Sequence, residues 1–449
     1  MPALVRILIR YRFWALLGIG LAVRLLYIAL TGADGLLSGD AQEYYDEAVR
    51  MYRGEGSGGY WPPGLPMYLA LCFHLSGGPS LAAAAGGMLL WYIALMALLD
   101  SQLRQAPWQR RWLIPGVIAL YPAMVYHSVA PLTHLPVAVL VLGLYAVLTP
   151  RSCRRDVAER PPLNSLLAGS FAALATLIRP AALALAAISS AWRLARPHPD
   201  WLRGRLLPAA LLMLPVMLAL GAWQFAQSRS SDRNTWLNEA NSYNFFIGNN
   251  PWTPLYRTWW LGSHDERGHP YYAGYYALRD ETEALPPAER QRRFSRLAWS
   301  HIRERPGLFM MRTFSRIRTF FAFDTLAGAS MYRRKPIWGF SLLAGDAVCY
   351  LTLLLLAVWN LANWLPPRTP EVKLLLLLIG GYALPYFIAF SHPTYHLPVM
   401  PLIALLAAPR MQTAAAPRWS IILPVVLIAA IQAEWVLNML FSLYTLPQQ

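Results

Sequence analysis

Ser38-Gly39-Asp40-Ala41-Gln42-Glu43-Tyr44-Tyr45 follows directly on the first long apolar run of the chain, and Tyr60-Trp61-Pro62-Pro63-Gly64-Leu65-Pro66 comes soon after. A carboxylate where a hydrophobic helix leaves the bilayer, followed by an amphipathic turn and a proline-stiffened aromatic segment, describes a polar pocket at a membrane face. That description holds only if the preceding run crosses a membrane. Arg6, Arg10 and Arg12 precede the run from Phe13 to Thr31, which at roughly 20 residues can span the hydrocarbon core. The positive flank predicts a cytoplasmic N-terminus and places Asp40 outside.

Composition agrees with a membrane class. Of 449 residues, 56% are hydrophobic and 14% charged, whereas soluble domains carry about 25% charged residues. The chain reads as an all-α polytopic membrane protein. Its net charge of +16 does not point to nucleic acid, because the basic residues fall mostly in short gaps between apolar runs, where they report orientation. Cys72, Cys153 and Cys349 are too few and scattered for a disulfide framework or a zinc pattern. No small-residue cleavage site follows the first run, which therefore reads as a retained signal anchor.

From Gln42 to Arg53, Tyr44, Ala48, Met51 and Tyr52 recur at helical spacing opposite Glu43, Asp46, Glu47, Arg50 and Arg53, the pattern of an interfacial helix. Pro62 to Leu75 is apolar but only about 14 residues long, short for a span. Crossing there would also carry Arg104, Arg110 and Arg111 outside, so a second juxtamembrane helix is predicted. Spans are predicted near Leu81 to Leu99, Trp112 to Ser128, Leu132 to Leu148, Leu163 to Ile178, Ala181 to Leu194 and Leu206 to Phe225. Basic loops at 151–155 and 193–205 then fall inside.

Gln227 to Pro336 interrupts the apolar pattern and is the region large enough for an external subdomain. Ala288 to Arg305 reads as a helix bounded by prolines, and Phe309 to Phe323 as a basic amphipathic helix lying beside the bilayer, with Arg312 and Arg316 on its polar face. Further spans follow near Trp338 to Leu361, Leu374 to Phe390, Leu397 to Ala408 and Ile421 to Leu440, with Arg368, Lys373, Arg410 and Arg418 inside. The count is about eleven spans. The division is 1–226 for an N-terminal transmembrane module whose first external loop is 32–80, 227–337 for the external subdomain and 338–449 for a C-terminal transmembrane module. No repeat at a fixed period is visible, which counts against transporters built from duplicated halves.

Several residues at the predicted outer face can do chemistry. Asp40 can solvate its loop, or accept a proton from an alcohol held beside it. Arg179, at the junction Ile178-Arg179-Pro180, suits phosphate oxygens with its planar fork, or pairs with a structural charge. Arg24, mid-span, reads as structural, with Asp346 or Glu434 as partner. His127 and His134, and His392 and His396 in Ser391-His392-Pro393-Thr394-Tyr395-His396, fall on the same face. Prolines make a regular helix around His392 and His396 doubtful, so hydrogen bonding to phosphate or sugar is a better use of them than metal ligation. Asn241 to Pro251, including Asn249 and Asn250, is either a turn cap or a sugar contact. The aromatic group Trp252, Tyr256, Trp259, Trp260, Tyr271, Tyr272, Tyr275 and Tyr276 anchors in the interface or receives an acceptor.

Taken together, Gly39-Asp40-Ala41 with Tyr44 and Ala48, Trp61-Pro62-Pro63-Gly64-Leu65-Pro66, Ile178-Arg179-Pro180, Ile247-Gly248-Asn249-Asn250-Pro251 and Tyr395-His396-Leu397-Pro398-Val399-Met400-Pro401 resemble the glycosyltransferase-C superfamily. The resemblance is to the lipid-A aminoarabinose transferases, the protein O-mannosyltransferases and their bacterial relatives, and it runs through nearly the whole chain. It implies a multi-pass bacterial inner-membrane enzyme moving a sugar, with inversion, from a polyprenyl phosphate (undecaprenyl or decaprenyl) to an acceptor protein, lipid or glycan on the periplasmic side. By that resemblance Asp40 is the general base, Arg179, His392, Tyr395 and His396 lie near the donor phosphate, and Tyr44, Trp61, His134, Asn249 and Asn250 line the substrate pocket. Where many relatives carry a second acid, this chain reads Pro131-Leu132-Thr133-His134, so Asp40 works alone or with His134.

Polyprenyl phosphate is an adequate leaving group, so no cofactor is required by the chemistry. Oligosaccharyltransferases of the superfamily use a metal on an acidic-x-acidic motif after the first span, and here Asp40 is followed by Ala41 and Gln42. A divalent metal therefore stays possible without support from the spacing. A transporter or flippase without transferase chemistry is the main alternative, and a non-catalytic assembly factor a third.

Overall fold

The structure, a computed structural model, describes residues 3–106, 108–149, 161–230, 238, 240–255, 261, 269–332, 335–362, 369–408 and 419–441. The basic loop 151–155 with Cys153, the inside markers Arg368, Arg410 and Arg418, and the aromatics Tyr256, Trp259 and Trp260 lie outside those residues. The described residues form helices, turns and connecting loops, with no strand among them.

Helix α1 (Ala3–Leu36) carries the first apolar run and breaks at Gly32, where φ is +70°, close to the predicted end of the span at Thr31. Helices α2 (Asp40–Tyr52) and α3 (Gly64–Ser76) pack on each other. Helix α4 (Leu81–Gln102) runs antiparallel to α1, because Arg12 near the start of one pairs with Asp100 near the end of the other.

The span expected from Trp112 to Ser128 is broken into α5 (Trp108–Leu120) and α6 (Pro122–His127). Pro122 disfavours helical geometry at the residue before it, and Tyr121 accordingly stands at φ −62°, ψ 112°. The break frees N–H groups at the start of α6, and Asp346 Oδ1 accepts from the Ala123 N–H at 2.6 Å. Asp346 is thereby used, and it is not the partner of Arg24. Arg24 is fully buried and donates to Ser128 Oγ at 2.6 Å, Ala119 O at 2.8 Å and Gly20 O at 2.9 Å, with its guanidinium 3.4 Å from the Tyr92 ring centroid. Glu434, the other expected partner, pairs with Arg318 at 2.6 Å.

Helix α7 (His134–Leu148) is apolar on every side and almost entirely buried, the signature of a central helix. It packs against α4 and α8 (Pro161–Ile178), and α8 in turn carries α10 (Leu207–Ser230), which packs on α9 (Leu183–Ala195). Among the described residues, five helices are long and apolar enough to cross a membrane: Tyr11–Ala33, Leu81–Gln102, Leu202–Arg229, Pro336–Ala362 and Pro370–Ile388. The other expected spans are shorter apolar helices, or, at Trp112 to Ser128, the broken pair. Trp14, Leu25, Leu26, Met217, Leu218, Ile337, Val348, Leu423 and Val426 are exposed on these helices, an apolar surface too extensive for water and suited to lipid.

The polar stretch after α10 contains α11 (Ala240–Gly248), α12 (Ala273–Glu283), α13 (Pro287–Glu304), α14 (Pro306–Phe320) and α15 (Leu326–Tyr332). The prolines bound α13 and α14 as expected, but the basic face of α14 is turned inward. Arg312 and Arg316 are buried, while Met310, Met311 and Phe314 are exposed. The reason is a set of carbonyls needing donors: Arg312 donates to Asn250 O at 2.9 Å, and Arg316 to Ile388 O at 2.9 Å and to Asn249 Oδ1 at 2.9 Å. The chain ends with α16 (Pro336–Ala362), α17 (Pro370–Ile388), α18 (Met400–Ala407) and α19 (Trp419–Phe441). The span expected to begin at Leu397 starts inside a 3-10 turn, Pro393–Val399, that feeds the buried α18.

Candidate active site

Asp40 is the first residue of α2 because Gly39 turns the chain there. Gly39 has φ +54°, ψ −132°, a region that side-chain-bearing residues avoid. Asp40 and Glu43 occupy the first turn, where a helix N-terminus favours negative charge. Asp40 is exposed to solvent, yet enough protein packs around it to desolvate its carboxyl in part. That partial burial raises its carboxyl above the usual aspartate range, the Glu43 charge adds to the rise, and Arg179 opposes it.

One turn along α2, Tyr44 is buried with its ring 4.7 Å from Trp61. Trp61 Nε1 donates to Glu43 Oε2 at 2.8 Å, so α2 holds the aromatic loop from two sides. The Tyr44 hydroxyl reaches Thr133 and lies in the fields of Asp40, Arg179 and Tyr395.

Arg179 follows the end of α8 in an extended conformation, φ −147°, ψ 106°, which Pro180 imposes on it. Its guanidinium carbon lies 4.5 Å from the Tyr395 ring centroid and 5.7 Å from that of Tyr386, in the range of a cation–π contact. The hydroxyls of Tyr382, Tyr386 and Tyr395 are within hydrogen-bonding reach of it. Nη1 of Arg179 is buried without a hydrogen-bond partner among the described residues. A half-buried cation beside phenols, with one buried donor unspent among the described residues, can take an anion.

The predicted site residues therefore divide. Tyr44 packs on Trp61 one turn from Asp40, Arg179 lies over Tyr395 and within the field of Asp40, and His134 stacks on Tyr395, the centroids 6.2 Å apart at 24°. His392 accepts from the Thr394 N–H at 3.3 Å and so caps its own turn. His396 is buried, with Nδ1 3.0 Å from Phe320 O and its ring 4.6 Å from Tyr350. Asn249 and Asn250 are buried and spend their amides on main chain: Asn249 donates to Phe245 O at 3.0 Å and Ile388 O at 3.2 Å, and Asn250 to Phe246 O at 2.8 Å. Of the two readings of this segment, the turn cap is the one these bonds describe.

Sequence reasoning passed over Tyr382, Tyr386, Thr133 and Glu43. A signal existed for the first two, since tyrosines four apart in an otherwise apolar helix present two hydroxyls on one face. Among the described residues no group of three or more His, Cys, Asp or Glu is arranged to hold a metal. Glu43, the acid that accompanies Asp40 in the first turn, has an oxygen engaged by Trp61. The residues at Asp40 do not form a metal site of the acidic-x-acidic kind.

Fold and site describe a helical protein with apolar helices long enough to cross a membrane and an exposed carboxylate, Asp40, in the field of a half-buried arginine packed against tyrosines. The chain is similar over 98% of its length to the crystal structure of the oligosaccharyltransferase of Archaeoglobus fulgidus in its apo form, with a TM-score of 0.45 and 12% identity. It is likewise similar to AglB, the archaeal oligosaccharyltransferase of Archaeoglobus fulgidus in complex with an inhibitory peptide and a dolichol-phosphate, with a TM-score of 0.46 and 12% identity. It spans 57% of the length of each of those chains. No family model matches the chain, and no curated protein does.

Proposed function

We propose that the protein is a membrane glycosyltransferase of the glycosyltransferase-C type that moves a sugar from a polyprenyl phosphate to an acceptor on the periplasmic face of a bacterial inner membrane. The observation that supports this reading is exposed Asp40 in the field of Arg179, whose buried Nη1 has no hydrogen-bond partner among the described residues. An acceptor hydroxyl attacks the anomeric carbon, the new C–O bond forms on one face of the sugar as the bond to the phosphate oxygen breaks on the other, and configuration inverts. The Asp40 carboxylate takes the acceptor proton. The electron pair departs on the phosphate, and Arg179 with the hydroxyls of Tyr382, Tyr386 and Tyr395 stabilises the charge that grows there. Trp61 and Tyr44 offer aromatic faces to the sugar. The isoprenoid tail lies along apolar helix surface, and about eleven spans carry the whole.

The test is purified protein in detergent with a radiolabelled undecaprenyl-phosphate sugar. Consumption of donor with release of polyprenyl phosphate, in the absence of any gradient, supports the reading. Donor recovered intact with every class of acceptor would favour a transporter.

A further inference from the structure

Four side chains from distant parts of the chain lie in a row behind Arg179, three of them buried. Asp324, in the link between α14 and α15, has Oδ1 2.6 Å from the Leu326 N–H, which it caps, and Oδ2 3.5 Å from His127 Nε2. His127, the last residue of α6, has its ring 4.4 Å from that of His134, the first residue of α7. His134 in turn stacks on Tyr395, and Tyr395 lies under the Arg179 guanidinium. Asp324 and His127 are completely buried and His134 is 6% exposed.

Packing alone does not ask for these residue types. Desolvating a carboxylate and an imidazole is costly even when they pair, and apolar side chains would fill the same space without that cost. Neither ring nitrogen of His134 has a hydrogen-bond partner among the described residues, so what His134 offers is its ring, tilted at 59° against His127 and stacked on Tyr395. The same turn carries Thr133, which the Tyr44 hydroxyl reaches, so the column is joined to the Asp40 helix as well.

We propose that Asp324, His127 and His134 are positioning residues for the phosphate grip: the Asp324 carboxylate lies against His127, the two imidazoles meet at a tilt, His134 stacks on Tyr395, and the column fixes the plane on which Arg179 rests. This rests on the reading of Arg179 as the phosphate-binding residue. Loss of the column leaves Arg179 in place but free to rotate, and a guanidinium that must be ordered at the moment of binding grips phosphate less tightly.

The experiment uses the full chain in detergent and two probes that share a tail, farnesyl phosphate and farnesol. Wild type is expected to bind the phosphate more tightly than the alcohol. Asp324→Asn, which keeps an oxygen for Leu326, and His134→Ala are each expected to shrink that preference about fivefold or more, with farnesol affinity and Tm unchanged. His134→Phe, which preserves the stack, is expected to hold it within about twofold. An undiminished preference in Asp324→Asn and His134→Ala would overturn the proposal, as would farnesol affinity and Tm falling in step with phosphate affinity. Arg179→Gln separates the two levels: if it leaves the preference intact, the phosphate reading itself fails, whatever the column does.

Discussion

Gly64, the first residue of α3, lies so close to Ile178 that a Cβ there would come within 2.8 Å of the Ile178 backbone nitrogen. The aromatic loop ending at Gly64 and the residue immediately before Arg179 thus share one joint. Gly64→Ala must push α3 off the end of α8, an overpacking that costs about 1–3 kcal/mol and displaces Trp61 relative to Arg179. Transfer is expected to fall about tenfold or more while the protein still folds, read by a thermal melt beside a transfer assay. Unchanged transfer would show that the joint yields without moving the site.

Gly39 makes a different demand. A Cβ there would meet nothing within 4 Å, so Gly39→Ala introduces no clash, and its effect is conformational. Holding φ at +54° costs a residue with a side chain about 1–3 kcal/mol. The chain relieves that strain by re-aiming the first turn of α2. The expected result is a drop in kcat of about tenfold with Tm nearly unchanged, and retention of full kcat would free Asp40 from dependence on this turn.

The Asp40 carboxyl titrates above the ordinary aspartate value of 3.8. Only its charged form accepts a proton, so kcat falls as pH drops through that raised value and is complete well above it. Glu43 contributes to the rise, and Glu43→Gln, which keeps an oxygen for Trp61 Nε1, is expected to move the acid limb to lower pH. A pH–rate profile of wild type and variant measures both. An acid limb at the ordinary value that Glu43→Gln leaves in place would remove Asp40 from the titration.

Asn249 joins the loop after α11 to the end of α17 and to Arg316. Asn249→Ala leaves buried partners unsatisfied, at a cost of about 1–3 kcal/mol. It is expected to lower Tm with little change in the KM for the acceptor. A selective rise in that KM, with Tm intact, would return the amide to the substrate pocket.

What the sequence disclosed depended on how local the cause was. Prolines and glycines act on their own neighbours, so the end of the first span, the bounds of α13 and α14 and the α2–α3 pair were legible. Asp40 and Arg179 were legible because a charge at the edge of an apolar run is conspicuous. Partners were not, because they are chosen in three dimensions. Arg24 takes carbonyls released at the α5–α6 break where a carboxylate was expected, and Arg312 and Arg316 turn inward to carbonyls that no helical-wheel pattern reveals. The amides of Asn249 and Asn250 are suited equally to sugar and to backbone, and their bonds to the Phe245, Phe246 and Ile388 carbonyls depend on a meeting of segments that the sequence does not display.

The central claim is that Asp40 accepts the acceptor's proton, and Asp40→Asn in the purified protein, with labelled polyprenyl-phosphate sugar and acceptor, tests it most directly. The substitution keeps shape and removes the base, so turnover is expected to fall at least about a hundredfold while donor affinity and Tm hold. Turnover within about twofold of wild type, at equal Tm, would contradict the account.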